Sequence, residues 1–248
     1  MTAGSLPEPP VTDLLDSVLH PVRGHHAFEA CVERLATAIR LGVYPLGTTL
    51  PSERDLAIRL GVSRATLREA IAALREAGFV ETRRGRGGGT VVTQKPKTPA
   101  GRAAVRVTAA KRRAWLDALD FRRVVEPGAA ALAAERELTD GQREQLEQAL
   151  ADVNEARKPA EHRQADSRLH LTVAALSASP RLIEAVTSVQ ASLHEMLLAI
   201  PVLDRNIAHS DRQHARIVRS VLNGQPTRAR RAMEDHCDDT AALLRGLL

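Results

Sequence analysis

Apolar and polar positions follow a helical period along most of this chain. Between Ala27 and Leu41 the apolar residues Phe28, Cys31, Val32, Leu35 and Ile39 recur at intervals that keep them on one helix face, and Gly42 ends the run. Pro45 and Gly47 mark a turn before Leu50-Pro51. Ser52 then reads as an N-cap, with Asp55 in the place of the capping-box acid, for a short helix ending at Leu60 with Gly61 as its left-handed terminus. Ser63 caps a further helix from Arg64 to Ala77, closed by Gly78. Phe79–Thr82 and Thr90–Thr93 read as two short strands around a tip of arginines and glycines.

After this unit the pattern is helical throughout. One long helix is expected from Trp115 to Arg136, with Pro127 either kinking or splitting it. Thr139-Asp140-Gly141-Gln142 is a capping box opening a helix to about Arg157. Further helices follow over 160–177, 180–200, 203–222 and 226–247, with Pro180 and Pro226 at favoured first-turn positions. The predicted fold is mainly α: an N-terminal winged helix-turn-helix of three helices and a β-hairpin over 25–95, and a C-terminal all-α antiparallel bundle over 113–248. Residues 1–24 are proline-rich and weakly patterned, read as a flexible tail in which Val11–Leu19 is a candidate short helix. Residues 96–112 are read as a basic linker from their prolines and charge.

Composition sharpens this reading. Hydrophobic residues make up 44% of the chain but aromatics only 2%, so the cores must be built from Ala, Leu, Val and Ile. That scarcity argues against single-stranded nucleic acid, which is held on aromatic stacking platforms. Charge is uneven: residues 25–95 hold 11 Lys+Arg against 7 Asp+Glu, residues 96–113 hold 6 basic and no acidic ones, and residues 114–248 hold 17 basic and 20 acidic. A basic N-terminal part beside a mildly acidic C-terminal part suits a nucleic-acid reader joined to a regulatory module. Cys31 and Cys237 cannot form a disulfide framework. No apolar run approaches the roughly 18 residues of a membrane helix, and Met1–Pro10 lacks the basic stretch and apolar core of a secretory signal. The expectation is a soluble cytoplasmic protein with no membrane partner.

The segment from Leu50 to Ala70 has the geometry of a helix-turn-helix. Leu56, Ala57, Leu60, Val62, Leu67, Ile71 and Leu74 supply its interior, and Arg64 and Arg68 lie four apart on one side of the second helix. The N-terminal half of that helix is what enters the major groove of double-stranded DNA, where an arginine can grip a guanine edge. Ser63 and Thr66 are candidates for phosphate contacts, and Arg83, Arg84 and Arg86 among glycines could lie along the minor groove or the backbone. Leu50–Ala57, Gly61–Ala70 and Gly85–Val92 together resemble the GntR family of bacterial regulators, whose signature runs L-P-S-E-R-x-L-A, then G-V-S-R-x-T-(V/L)-R-E-A, then a G-x-G hairpin ending in T-x-V. The resemblance implies DNA contacts at Arg54, Arg64, Thr66, Arg68 and the hairpin tip from Gly85 to Gly87; Gly87-Gly88-Gly89 is longer than the usual single glycine before Thr90.

A second constellation lies in the helical part. Asp166 and His170 are four apart on one predicted helix, and His214 and His236 fall on two later ones. Three imidazoles and a carboxylate suit a divalent transition metal (Zn, Ni, Co, Fe or Mn) rather than Ca or Mg. Spacing alone does not choose among the histidines, because His162, His194 and His209 are also present as candidates for solvated surface positions, and Cys237 is a rival ligand. The C-terminal part is similar to the FCD ligand-binding domain of the FadR subfamily, on Arg122 to Glu126, Asp166 to His170, His214 to Ile217, Gly224-Gln225-Pro226, and Ala229 to Met233 followed by His236. The resemblance implies a metal held by Asp166, His170, His214 and His236, and a small carboxylate effector for which Arg122 is the cavity arginine. A surface salt bridge from Arg122 to Glu126 is the competing reading.

The functional expectation is a sequence-specific transcriptional regulator, acting as a homodimer on near-palindromic operator DNA and modulated by that effector. A metal-dependent enzyme with an accessory DNA domain ranks below it, because no H-E-x-x-H motif, nucleophile elbow or phosphate loop appears. Direct sensing of the metal is the third reading.

Overall fold

The computed structural model describes residues 27–83, 88–94, 107–200 and 204–247, with side chains in the last range described from 207 onward. The N-terminal tail with its candidate helix, the hairpin tip bearing Arg84, Gly85, Arg86 and Gly87, and most of the basic linker lie outside the described residues.

The first helix, α1 (Ala27–Arg40), buries Cys31, Leu35, Ala36, Ala38 and Ile39. Helix α2 (Glu53–Leu60) starts on Ser52, whose hydroxyl accepts from the Asp55 amide at 3.2 Å and donates to the Asp55 carboxylate at 2.6 Å. Gly61 ends α2 with φ +65°, a conformation costly for any residue with a Cβ. Helix α3 (Arg64–Glu76) is capped by Ser63, which accepts from the Thr66 amide at 3.0 Å. Strands β1 (Val80–Arg83) and β2 (Gly89–Val92) pair antiparallel, with Val80 opposite Val92 and Arg83 opposite Gly89. Both strands lie within one residue of their expected ends. The 47–50 segment adds a third edge through a bridge between Thr49 and Val91.

Helix α4 spans Ala109–Glu135, so it begins inside the segment read as linker. Thr108 caps it by accepting from the Lys111 amide at 3.2 Å, and the alanines and basic residues that follow are sound helix formers. Pro127 does not split it. The missing hydrogen bond and ring clash cost about 3 kcal/mol, offset here by burial of Val125, Ala129, Ala130, Ala131, Ala133 and Ala134 against neighbouring helices. The rest of the bundle is α5 (Asp140–Glu155), α6 (Pro159–Leu176), α7 (Pro180–Ala199), α8 (Asp204–Leu222) and α9 (Pro226–Leu247). The Thr139/Gln142 capping box forms in both directions.

The two parts of the chain share one core. Leu35, Ile39, Leu41 and Leu67 of the winged unit belong to the same buried cluster as Val125 of α4, Leu171 and Ala174 of α6, and Ile183, Val186 and Val189 of α7. The join is also polar. The final carbonyls of a helix have no partner inside it, and at the end of α1 the bundle supplies partners: the Gln164 side-chain amide of α6 donates to the carbonyls of Ile39 (3.3 Å) and Arg40 (3.2 Å). Arg168, also of α6, donates to the Gly42 carbonyl at 3.3 Å and to Asp152 at 3.2 Å. Gly42 has φ +74°, and a Cβ there would lie 2.8 Å from Gln164 Cβ, so both backbone and packing demand glycine.

Truncating Leu171, fully buried in the shared core, is expected to cost about 2–5 kcal/mol as Leu171→Ala in urea denaturation followed by circular dichroism. An unchanged midpoint would mean that the shared core does not form in solution.

Candidate functional site

Two candidate sites arise, one exposed and one buried. On the exposed one, Arg54, Ser63, Arg64 and Arg68 are at the surface and Thr66 is half-buried. Leu67, Ala70, Ile71 and Leu74 turn inward on the opposite side of α3. Arg68 is tied to α2 by a 2.7 Å bond from its Nε to Glu53, which holds the guanidinium in place while its two terminal nitrogens remain beyond that contact. The Ser63 hydroxyl is spent on the cap and on Thr66 Oγ1 at 2.8 Å. The wing contributes Arg83, whose Nε bonds Glu81 at 2.6 Å. Arg84, Gly85, Arg86 and Gly87, the remaining expected contacts, fall outside the described residues.

The buried site is assembled from four helices. His170 comes from α6, His214 from α8 and His236 from α9, and each is no more than 2% exposed. Their ring centroids lie 5.4, 5.0 and 4.6 Å apart, and one donor atom from each falls within 4.8 Å of the others. Among the described residues this is the one such group of metal-ligating side chains. Asp166 stands one turn before His170 and brings Oδ1 to 3.2 Å from His214 Nε2. It borders the histidine trio rather than belonging to it.

The surrounding groups set the histidines' tautomers. Gln213 Nε2 donates to Asp239 at 2.7 Å, which orients that amide so that its Oε1 accepts from His236 Nδ1 at 3.2 Å. His236 therefore presents its other nitrogen as a lone pair. His170 Nδ1 lies 2.9 Å from Glu126 Oε2. Burial pushes the imidazolium form of His214 down to about 4 against the opposing pull of Asp166, and burial followed by the charge of His214 holds His236 well below its ordinary range. Both rings are thus neutral near pH 7, the state a metal requires. Burial opposes ionisation of Asp166, yet His214, His170, His162 and Arg122 outweigh it and keep the carboxyl below its usual range. The neutral rings of His214 and His236, an ionised carboxylate, and His170 Nε2 without a hydrogen bond fit a bound cation.

Arg122 on α4 completes the site. Its Nε donates to Glu126 Oε2 at 3.0 Å, and both side chains are 1% exposed. The expected i,i+4 pair therefore exists, but in the core and not at the surface. Glu126 also accepts from Gln190 Nε2 at 2.6 Å and from the Cys237 thiol at 3.6 Å. Cys237 is thereby turned toward Glu126 and away from ligand duty, with burial raising its thiol far above the ordinary range. Burial works against charge on both members of the pair; their mutual attraction, with His170 adding to it, still keeps Glu126 ionised and Arg122 protonated. The Arg122 terminal nitrogens, Nη1 and Nη2, are buried without a hydrogen bond. Arg122, His236 and Asp166 border one cavity of about 230 Å³. Of His162, His194 and His209, the candidates for solvated positions, only His209 is exposed; His162 pairs with Asp211 and His209 with Asp239, both at 2.9 Å. Gln190 and Gln213 have no place among the residues the sequence singles out, and Glu126 enters only as the motif and ion-pair partner of Arg122.

With this geometry in hand, comparison with known proteins is consistent in both halves. Residues 28–92 match the model of the bacterial regulatory proteins, gntR family, and residues 117–239 match that of the FCD domain. The chain is 36% identical over 212 residues to an HTH-type transcriptional regulator of Mycobacterium gastri, RmpR, covering 84% of this chain and 76% of that one. It is 31% identical over 222 residues to the Glc operon transcriptional activator of Escherichia coli K12 (84% and 85% covered). It is 32% identical over 202 residues to an E. coli protein named for regulation of the L-lactate dehydrogenase operon (77% and 75% covered). Among solved structures, E. coli McbR/YncC aligns with a TM-score of 0.52 at 17% identity over 90% of this chain and 99% of that one, and a GntR-type regulator of Rhodococcus sp. RHA1 with 0.51 at 22% identity over 88% and 97%; these likenesses speak to the fold. A winged helix-turn-helix joined to an FCD bundle defines the class as a transcriptional regulator and not an enzyme. The chain belongs to the GntR family, in the FadR-type arrangement of the two domains.

Breaking the buried pair as Glu126→Gln is expected to destabilise the fold by about 3–5 kcal/mol, since Arg122 is left charged and uncompensated. Arg123→Ala, which removes an exposed pair with Asp238, is expected to cost under about 1 kcal/mol. Urea denaturation of the two variants side by side checks the contrast.

Proposed function

We propose that this protein is a sequence-specific DNA-binding regulator whose operator affinity is set by a small carboxylate bound at a metal centre within the FCD bundle. The observation that carries the reading is Arg122: a charged guanidinium, fixed through Nε by Glu126, with both terminal nitrogens buried and unpaired, on a side chain that borders the cavity His236 and Asp166 also line. A buried, unpaired pair of N–H donors is costly, and a planar carboxylate satisfies them in a two-point contact. One relative is named for the operon of L-lactate dehydrogenase, an enzyme of a small carboxylic acid.

His170, His214 and His236, with Asp166 beside them, would hold a divalent transition metal. When bound, the metal supplies a Lewis-acidic position for a carboxylate oxygen. Glu126 and Gln213 orient His170 and His236, Arg122 binds the acid's remaining charge, and the surrounding helices exclude water. As a homodimer, the protein would set two α3 helices on an operator with Arg64 and Arg68 reading base edges, and Arg54, Thr66 and the hairpin tip engaging the backbone.

A direct surface joins the two sites. Helix α6 carries Asp166 and His170 on one side, and Gln164 and Arg168, which cap the end of α1, on the other. Occupation of the bundle that shifts α6 would alter the seat of the DNA reader without relying on the basic linker alone.

Replacing Arg64 or Arg68 by alanine is expected to weaken binding to the protein's own promoter fragment by about 1–3 kcal/mol each, roughly 5- to 150-fold, measured by fluorescence anisotropy at fixed salt. Binding that is equal for both variants and wild type would sink the DNA-reading assignment. For the metal, His170→Ala and His214→Ala are each expected to reduce metal content of the purified protein in elemental analysis. Chelator dialysis of wild type is expected to lower its melting temperature; a chelator that changes operator binding with no acid present would instead point to the metal as the signal.

A further inference from the structure

The cavity beside Arg122 is lined by large apolar side chains as well as by polar ones. Leu193, Leu197 and Ile200, spaced four and three residues apart, present one face of α7 and its C-terminal residue to the space, and Ile207 of α8 and Leu243 of α9 face them. The polar groups bordering this region are largely committed within the protein: His162 to Asp211, His209 and Gln213 to Asp239, and the Thr240 hydroxyl to the His236 carbonyl at 2.9 Å. Their internal bonds compete with any bond to a hydroxylated tail, and Asp239 would repel a second carboxylate.

Volume points the same way. A cavity of 230 Å³ corresponds to about eight non-hydrogen atoms at roughly 30 Å³ each, the liquid-state share of one water. A two- or three-carbon hydroxy acid, anchored at Arg122 and the metal, would leave the leucine wall uncovered. A six-carbon monocarboxylate has the required number of atoms.

We infer that the effector is a monocarboxylic acid with an unsubstituted hydrocarbon tail, of about six carbons in all, its carboxylate on Arg122 and the metal and its tail against Leu193, Leu197, Ile200, Ile207 and Leu243. This rests on the carboxylate reading above and adds the class of acid. Burial of each further methylene in that wall tightens binding by roughly fourfold until the cavity is full. Arg163 also borders the cavity and is the candidate partner for a second carboxylate, so a dicarboxylate is the direct competitor to this inference.

Isothermal titration of the full chain, as purified and again with added zinc, tests it with acetate, butanoate, hexanoate, octanoate, glycolate, L-lactate and adipate. The expected result is affinity rising from acetate to hexanoate and levelling or falling at octanoate, with lactate and glycolate near acetate and adipate weaker than hexanoate. Leu197→Ala, at a half-buried position, is expected to flatten the dependence on chain length, weakening hexanoate several-fold more than acetate. Arg122→Met is expected to weaken every acid. Equal affinity for acetate and hexanoate, or tightest binding of lactate, glycolate or adipate, overturns the hydrocarbon tail while leaving the carboxylate reading intact. No binding of any acid to metal-loaded wild type removes both.

Discussion

Glu126 is a carboxylate in the middle of a helical bundle, and much of the site depends on how its charge is met. An ion of that size taken out of water costs several kcal/mol unless partners surround it. Here the partners come from four helices besides those of the reader: Arg122 on its own helix, Gln190 on α7, Cys237 on α9 and His170 on α6. Each is held in turn. Arg122 gives its Nε to Glu126 and keeps its other two nitrogens unpaired on a side chain that borders the cavity; because His170 brings Nδ1 to Glu126, its Nε2 is the nitrogen left for a ligand role. One buried anion thus aims both the guanidinium and an imidazole. A hydrophobic residue at 126 of similar volume would pack acceptably in a bundle of alanines and leucines, but it would orient neither of them.

The second constraint acts on α6. A helix repeats every 3.6 residues, so residues two apart point to nearly opposite sides. Asp166 and His170 fall on the side of the histidine trio, and Gln164 and Arg168, each offset by two from them, fall on the side of the winged unit. Leu171 and Ala174 then fill the core that both units share. Gly42 closes the arrangement, because the backbone at the end of α1 must come near enough for Gln164 and Arg168 to reach its carbonyls. Read as two units joined by a basic linker, the sequence shows no sign of this packing between them. The packing provides a shorter path than the linker.

What the sequence reveals follows the range of the interactions involved. Local chemistry is fully legible: Ser52, Ser63 and Thr139 cap the helices they precede, Gly61 takes the left-handed conformation, and Pro180 and Pro226 open helices. Thr108 is the exception, since a run of basic residues near two prolines reads as linker although the same run forms the first turns of α4. The three histidines are distinguishable from His162, His194 and His209 by family motif and not by spacing, because burial depends on helices far apart in the chain. Gln190 and Gln213 carry no local signal, and Glu126 shows only as the i,i+4 partner of Arg122. An i,i+4 Arg–Glu pair looks the same on a surface as in a core, and only the apolar neighbours Val125, Pro127, Ala129 and Ala130 around Glu126 hint at burial.

The magnitude of the join at α1 bears on whether such a regulator can respond at all. A ligand shifts an equilibrium only by the difference in its affinity for the two states, and coupling between distant sites in proteins is commonly about 1–3 kcal/mol. The contacts from Gln164 and Arg168 to the three carbonyls at the end of α1 are worth roughly 0.5–1.5 kcal/mol each in net stability. Loss or strengthening of these three alone therefore spans the range that regulation requires. The apolar part of the same interface need not repack. On the proposal that a small acid is the effector, a large rearrangement of the shared core would cost more than that acid can return, and a slight movement of α6 against fixed leucines would suffice. On the same proposal, the response would be graded by how firmly an acid draws α6, through Asp166 and His170, toward the helices that carry Arg122 and the leucines.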